Sequence, residues 1–164
     1  MVNPLKKSRE FVISSLSTES YKIEKFVEEI CDLFNINNTY FGNILIAVNE
    51  VVKNAVKHGN KELPGTRVTL KFTPQPRGLS FSIKDEGKGF DHHSIPDPLQ
   101  VNDDNYDTIG KGIFLMSKLV DLIMFNKKGN QVELFFKISS INYETSLHRV
   151  KALKKYFQKE KKLA

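Results

Sequence analysis

Apolar residues recur along this chain with two periods, and the switches between them mark out its elements. Phe11 to Ser17 has the β-branched and aromatic content of a short strand. Ile23, Phe26, Val27, Ile30, Leu33 and Phe34 then recur at helical spacing. Ser17 or Thr18 can cap that helix, with Glu19 and Glu24 favouring its early turns. The run Asn35–Asn38 breaks the pattern, and Thr39 is expected to cap a second helix that stops at Gly59. Wound at ~100° per residue, this second helix sorts into faces. Ile44, Val48, Val51 and Ala55 form an apolar stripe that Leu45, Val52 and Val56 widen, while Asn49, Lys53 and Lys57 point the other way. Glu50, Asn54 and His58 fall at i, i+4 and i+8 on the margin, where they would look into a neighbouring cleft. Taken alone, a Glu/Asn pair at this spacing is more often a solvated helix flank than a site.

Beyond a loop at Gly59–Gly65 the period changes to two. Val68, Leu70 and Phe72 alternate with Arg67, Thr69, Lys71 and Thr73 as a strand. Pro74–Gly78 reads as a turn and Leu79–Lys84 as the return strand, ending in D-E-G-K-G-F. From Asp91 to Ile109 there is no sustained period, and the stretch is rich in aspartate. Nineteen such residues inside a domain suggest a lid or binding loop. Gly110-Lys111-Gly112 then opens a helix over Ile113–Asp121, with Ile113, Met116, Leu119 and Val120 inward. Leu122–Asn126 and Gln131–Ile138 make a hairpin around Lys127–Asn130. A last helix from Asn142 carries the stripe Tyr143, Leu147, Val150, Leu153 and Phe157. Paired strands separated by helices predict an α+β fold, a two-layer sandwich whose mixed, mostly antiparallel sheet has helices on one face. Residues 1–140 are expected to form the main domain, and residues 141–164 a basic amphipathic extension.

Composition narrows the classes. At 164 residues the chain is long enough for one well-cored domain. No apolar run approaches the ~18 residues of a membrane helix, and the start lacks the apolar core of a signal peptide. The single cysteine, Cys31, excludes an internal disulfide and fits a reducing cytoplasm. The net charge of +6 suggests nucleic acid until it is located. Residues 149–164 hold seven basic side chains and one acidic, which accounts for all of it. The body of the chain is neutral, so neither a nucleic-acid nor a membrane partner is expected.

Two glycine clusters give the Glu50/Asn54 margin its context. In D-E-G-K-G-F, glycines at alternate positions let the backbone turn and approach a ligand closely. Asp85 offers an acceptor to an amino group such as that of adenine. In G-K-G-I, free N–H groups at a helix start suit phosphate, and Lys111 adds a charge. No P-loop and no dinucleotide fingerprint is present. His58, His92, His93 and His148 do not form a metal-ligand pattern with cysteine.

The ordered set is more specific than its parts. A Glu-x-x-x-Asn helix, D-x-G-x-G-F after a hairpin, a lid, and G-x-G-I-x-x-M opening a helix resembles the ATPase/kinase superfamily of gyrase, heat-shock chaperone, histidine-kinase and mismatch-repair proteins, with their Bergerat ATP-binding fold. The segment N-E-V-V-x-N-A-V-x-H-G-N and the short chain are similar to the anti-sigma factor serine kinases. The likeness spans roughly Phe11 to Ile138. It implies Glu50 as the catalytic base, Asn54 as the amide that ligates Mg²⁺, and Asp85 as the adenine acceptor. It implies Gly87 and Gly89 at the adenine-side turn. On the phosphate side it implies Gly110, Lys111 and Gly112, with Ile113 and Met116 in the helix beneath. Many of these kinases carry an arginine near the second cluster where this chain has Lys111, and lysine makes no bidentate phosphate contact. The implied activity is ATP-dependent phosphorylation of a serine on an anti-anti-sigma-like antagonist by a protein that also binds a sigma factor or analogous target. The alternative is a nucleotide-binding module that sequesters its partner without phosphorylating it. Members of that family are often dimeric, so a homodimer is among the expected states.

Overall fold

The computed structural model describes residues 7–15, 19–91, 93, 115–137 and 143–163. Strand β1 (Arg9–Ser14) precedes helices α1 (Ser20–Leu33) and α2 (Asn38–Asn54), the latter prolonged by a wider turn over Ala55–Gly59. The hairpin β2 (Arg67–Gln75) and β3 (Gly78–Lys84) follows. Helix α3 (115–119), strands β4 (Leu122–Phe125) and β5 (Gln131–Lys137), and helix α4 (Tyr143–Leu163) complete the described chain. The element order and the α+β class agree with the periodicity. Among the described residues the strands form one sheet in the order β1-β2-β3-β5-β4 with all four pairings antiparallel, in keeping with the mostly antiparallel sheet expected.

Register follows from burying one face. Ile13 pairs with Val68, Leu70 with Ile83, Phe72 with Phe81, Phe81 with Leu134, and Leu79 with Phe136. A slip of one residue anywhere would turn this apolar row outward, so the register is tightly specified. Phe81 packs tilted on Phe72 at 5.4 Å and edge-on to Phe136 at 6.0 Å, an aromatic line through the middle of the sheet. Each such ring contributes about 1.5–3 kcal/mol by leaving water. Ile23, Val27 and Ile30 of α1 share this core with Ile44, Ala47, Val48, Val51 and Val52 of α2. The opposite face carries exposed Lys71 and Lys84 and, near its edges, exposed Val12, Leu122 and Met124. Among the described residues the helices therefore cover a single face.

Local expectations shift in four places. Asn37, not Thr39, caps α2: its side chain accepts from the Tyr40 N–H at 2.9 Å. Ser17 and Thr18 lie outside the described residues; α1 begins at Ser20 behind Glu19, whose side chain makes no capping bond. Strand β2 runs on through Pro74 to Gln75. It can do so because β1 ends opposite Phe72, leaving Pro74 with a partner on one side only, which suits a residue lacking an N–H. On α4 the side chains of Tyr143, Leu147 and Val150 lie outside the described residues; among those described, Leu153 and Tyr156 face inward, whereas Phe157 is exposed.

Candidate functional site

Helix α2 ends in a way that the rest of the site depends on. Its hydrogen bonds are regular through Asn54, then open over Ala55–Gly59, so that Asn60 N donates to Ala55 O at 2.8 Å, five residues back. Such widened turns are often found at functional sites because they re-aim the side chains beyond them. Here the turn carries Gly59 against Asp85. A methyl group on Gly59 would overlap the Asp85 carboxylate, and one on Gly87 would overlap the Gly59 carbonyl. At Gly87 the loop meets the backbone of the α2 extension, and at Gly59 that extension meets the Asp85 side chain, so neither position has room for a Cβ as the chain stands.

Asn60 fastens this junction. It is buried, donates through Nδ2 to Ser15 Oγ at 2.7 Å and to Arg67 O at 2.9 Å, and accepts at Oδ1 from Glu86 N at 2.8 Å. The other side of the loop is held by the β4–β5 turn. Asn126 Oδ1 accepts from the N–H groups of Gly129, Asn130 and Gln131 at 2.8, 3.0 and 3.1 Å. Asn130 bonds the backbone of Asp85 twice, through its own carbonyl and through Nδ2. Gly89 (φ +81°) and Gly129 (φ +80°) adopt the left-handed conformation that glycine accepts freely. Side chains there would strike Lys128 and Phe90 respectively.

Asp85 therefore sits buried between two clamps. Its Oδ1 accepts from Gly87 N at 2.7 Å. Burial raises its carboxyl pKa above the ordinary value, against a partial lowering by the Gly87 N–H and the Lys128 charge. It faces a pocket of about 110 Å³ whose walls include Val51, Ala55, Ile83, Met116 and Val132. Phe90 and Phe125 complete the walls, edge to face at 5.9 Å. An apolar slot with one buried acceptor suits a flat heteroaromatic ring bearing an amino group.

Asn54 and His58 line this pocket and also an adjoining groove of about 490 Å³. Glu50 lines only the groove, with Lys53 and Lys57. The i, i+4, i+8 margin is thus split: its C-terminal half touches the slot, and its N-terminal end looks into the larger opening. Glu50 is 24% exposed and pairs with Lys53 at 3.1 Å. Of the glycine-side residues, Gly89 and Met116 line the slot, and Gly87 lies behind Asp85. Gly110, Lys111, Gly112 and Ile113 lie outside the described residues.

Sequence reasoning passed over Gly59, Phe90, Phe125, Gly129 and Asn130. Gly59 read as a helix stop, and Gly129-Asn130 as an ordinary hairpin turn. The available signal was the pairing of Gly59 with Asn60, whose buried amide makes that turn part of the site.

Residues 13–136 match the histidine kinase-like ATPase domain, and the chain belongs to that family. No curated protein matches the chain. The match supports ATP binding, usually with Mg²⁺, in a regulator of this class. The glycine contacts behind Asp85 and the lone acceptor in the slot fit an adenine ring. No described helix is long and apolar enough to cross a membrane.

Proposed function

We propose that this chain is an ATP-dependent protein serine kinase that works as a partner switch: it holds a sigma factor or analogous target and phosphorylates a serine on a small antagonist. The observation that carries the reading is the division of labour along α2. Asn54 belongs both to the slot that suits adenine and to the open groove, whereas Glu50, one turn earlier, belongs to the groove alone. A base one turn from the metal-side amide, with an opening large enough for a protein segment, is what transfer to an external hydroxyl requires.

Asp85 would accept from the adenine amino group, with Phe90 and Phe125 against the ring. Asn54 would offer its amide oxygen to Mg²⁺. Phosphate and water oxygens would join it around the ion. Mg²⁺ supplies charge neutralisation on the phosphates when bound. Glu50 would take the proton of the serine hydroxyl as that oxygen bonds to the γ-phosphorus of ATP and the bond from that phosphorus to the β,γ-bridging oxygen breaks, releasing ADP. Its partner Lys53 is 63% exposed, and exposed i,i+3 pairs are worth about 0.5 kcal/mol or less, so the carboxylate is released at little cost. On this reading residues 141–164 are an extension to the ATP-binding domain, and the protein works in the cytoplasm.

The same ion pair favours the second reading, a nucleotide-binding module that sequesters its partner without transfer, since the Glu50 carboxylate is turned to Lys53 at 3.1 Å and not into the open groove. Incubation with Mg-ATP and a bound antagonist separates them. The kinase reading predicts phosphoserine on the antagonist, lost in Glu50→Gln with ATP affinity unchanged. Transfer that persists in Glu50→Gln rules out the assigned base.

A further inference from the structure

The groove beside Glu50 has a second wall, and it comes from beyond the family match, which ends at residue 136. Tyr156, Phe157 and Glu160 of α4 face Ile46, Asn49, Glu50, Lys53 and Lys57 of α2 across it, with Leu115 between. We propose that this α2–α4 groove is the docking surface for the acceptor protein, and that it takes an acidic segment with one apolar anchor beside its serine. The proposal rests on the kinase reading above and names the partner's chemistry.

Apolar surface here is fixed in place. Tyr156 is buried and Leu153 packs on the core, and these two residues attach α4 to the domain. Phe157 is 46% exposed yet held edge-on to Tyr156 at 5.6 Å. An aromatic ring stacked edge-on to a buried tyrosine and half open to water, beside Ile46 and Leu115, is the kind of surface that anchors a partner's apolar side chain.

The charges around it select the rest of the segment. Lys154 and Lys161 stand three residues before and four after Phe157 on the same side of α4, and both are exposed. Lys53 and Lys57, also exposed, stand on the α2 rim. With Lys53 engaged by Glu50, the ammonium groups of Lys57, Lys154 and Lys161 outweigh the carboxylate of Glu160 and favour aspartates and glutamates flanking a leucine-sized residue. A bilayer would need a protruding apolar face, and this surface is a trough. Asn54 and His58 join the groove to the Asp85 slot, so the hydroxyl and the nucleotide would reach Glu50 from opposite ends.

The test uses the full chain with Mg-ATP and fluorescein-labelled peptides, read by anisotropy at low and high salt. One peptide has a serine flanked by aspartates, glutamates and a leucine; in the other the acids are replaced by lysines. The acidic peptide is expected to bind at least about tenfold more tightly, with affinity falling as salt rises. That preference should be lost in Lys154→Glu/Lys161→Glu and weakened in Phe157→Ala, with calorimetric ATP affinity unchanged in both. Equal binding of the two peptides, or an unchanged preference in the variants, overturns the proposal. So does tighter binding of a short DNA duplex or of phosphatidylserine vesicles that the charge reversal abolishes. Loss of ATP affinity in the variants would make α4 a support of the nucleotide slot and overturn it as well. A wild-type chain that binds no ATP would instead overturn the kinase reading, whatever the peptides do.

Discussion

Gly59 and Asp85 pack so closely that a single methyl group on the glycine would occupy the space of the aspartate's carboxylate. The contact joins the widened end of α2 to the loop after β3 and leaves Asp85 as the buried acceptor of an apolar slot.

Gly59→Ala and Gly87→Ala should therefore damage site and fold together. Each forces either the carboxylate or the backbone aside, and overpacking of this kind typically costs about 1–3 kcal/mol. Thermal unfolding should show that loss, and calorimetry a drop in ATP affinity. Gly42→Ala, where nothing lies within 4 Å of the added methyl, is the control and should leave ATP affinity as it was.

Asn60 joins three separate segments, and its removal leaves polar groups without partners. Asn60→Ala breaks bonds to Ser15, Arg67 and Glu86 at once. With each buried group left unpaired costing about 1–3 kcal/mol, urea unfolding should register a loss of roughly 2–4 kcal/mol.

Cys31 is expected to be silent. It is buried, and removal from water, helped by Asp32, pushes its thiol pKa up to about 12. A thiol that is not ionised at neutral pH reacts poorly. A disulfide reagent should modify it only on the unfolding timescale, or at once in denaturant.

Asp85 carries a stability cost that its role would explain. Burial raises its pKa in the folded chain, so folding favours the protonated form. The group contributes most to stability below its unfolded pKa of about 3.9. That contribution is lost as pH rises through the folded value. Asp85→Asn, which keeps an oxygen for the Gly87 N–H, should thus unfold at the same or a higher temperature than wild type at pH 7. The difference should shrink towards acid pH. A marked fall in Tm at pH 7 would mean that the carboxylate is structural.

Much of this was legible in the chain because burial imposes period. The alternation at Val68–Phe72 and Leu79–Ile83, and the stripe Ile44–Ala55, placed the sheet and the central helix. The spacing of Glu50 and Asn54 placed both on one margin. What the sequence hid depends on non-local backbone contact. Gly59 ends a helix in any reading, and only the approach of Asp85 shows why it must be glycine. Phe90 and Phe125 belong to distant segments, and nothing local says that their rings meet. The position of α4 beside Glu50 was equally hidden, because its amphipathic stripe says that it packs but not against what. Of that stripe Leu153 does pack on the core, but at the next turn Tyr156 rather than Phe157 faces inward.

The central claim is that the slot bounded by α2 and the Asp85 loop holds ATP through that carboxylate. Titration calorimetry with Mg-ATP on wild type and Asp85→Asn tests it most directly. Saturable one-site binding by the wild type is predicted, weakened at least about tenfold in the variant, since a hydrogen bond to a charged group is worth about 1.5–3 kcal/mol. Equal affinity in the two chains, or no binding by the wild type, would contradict it.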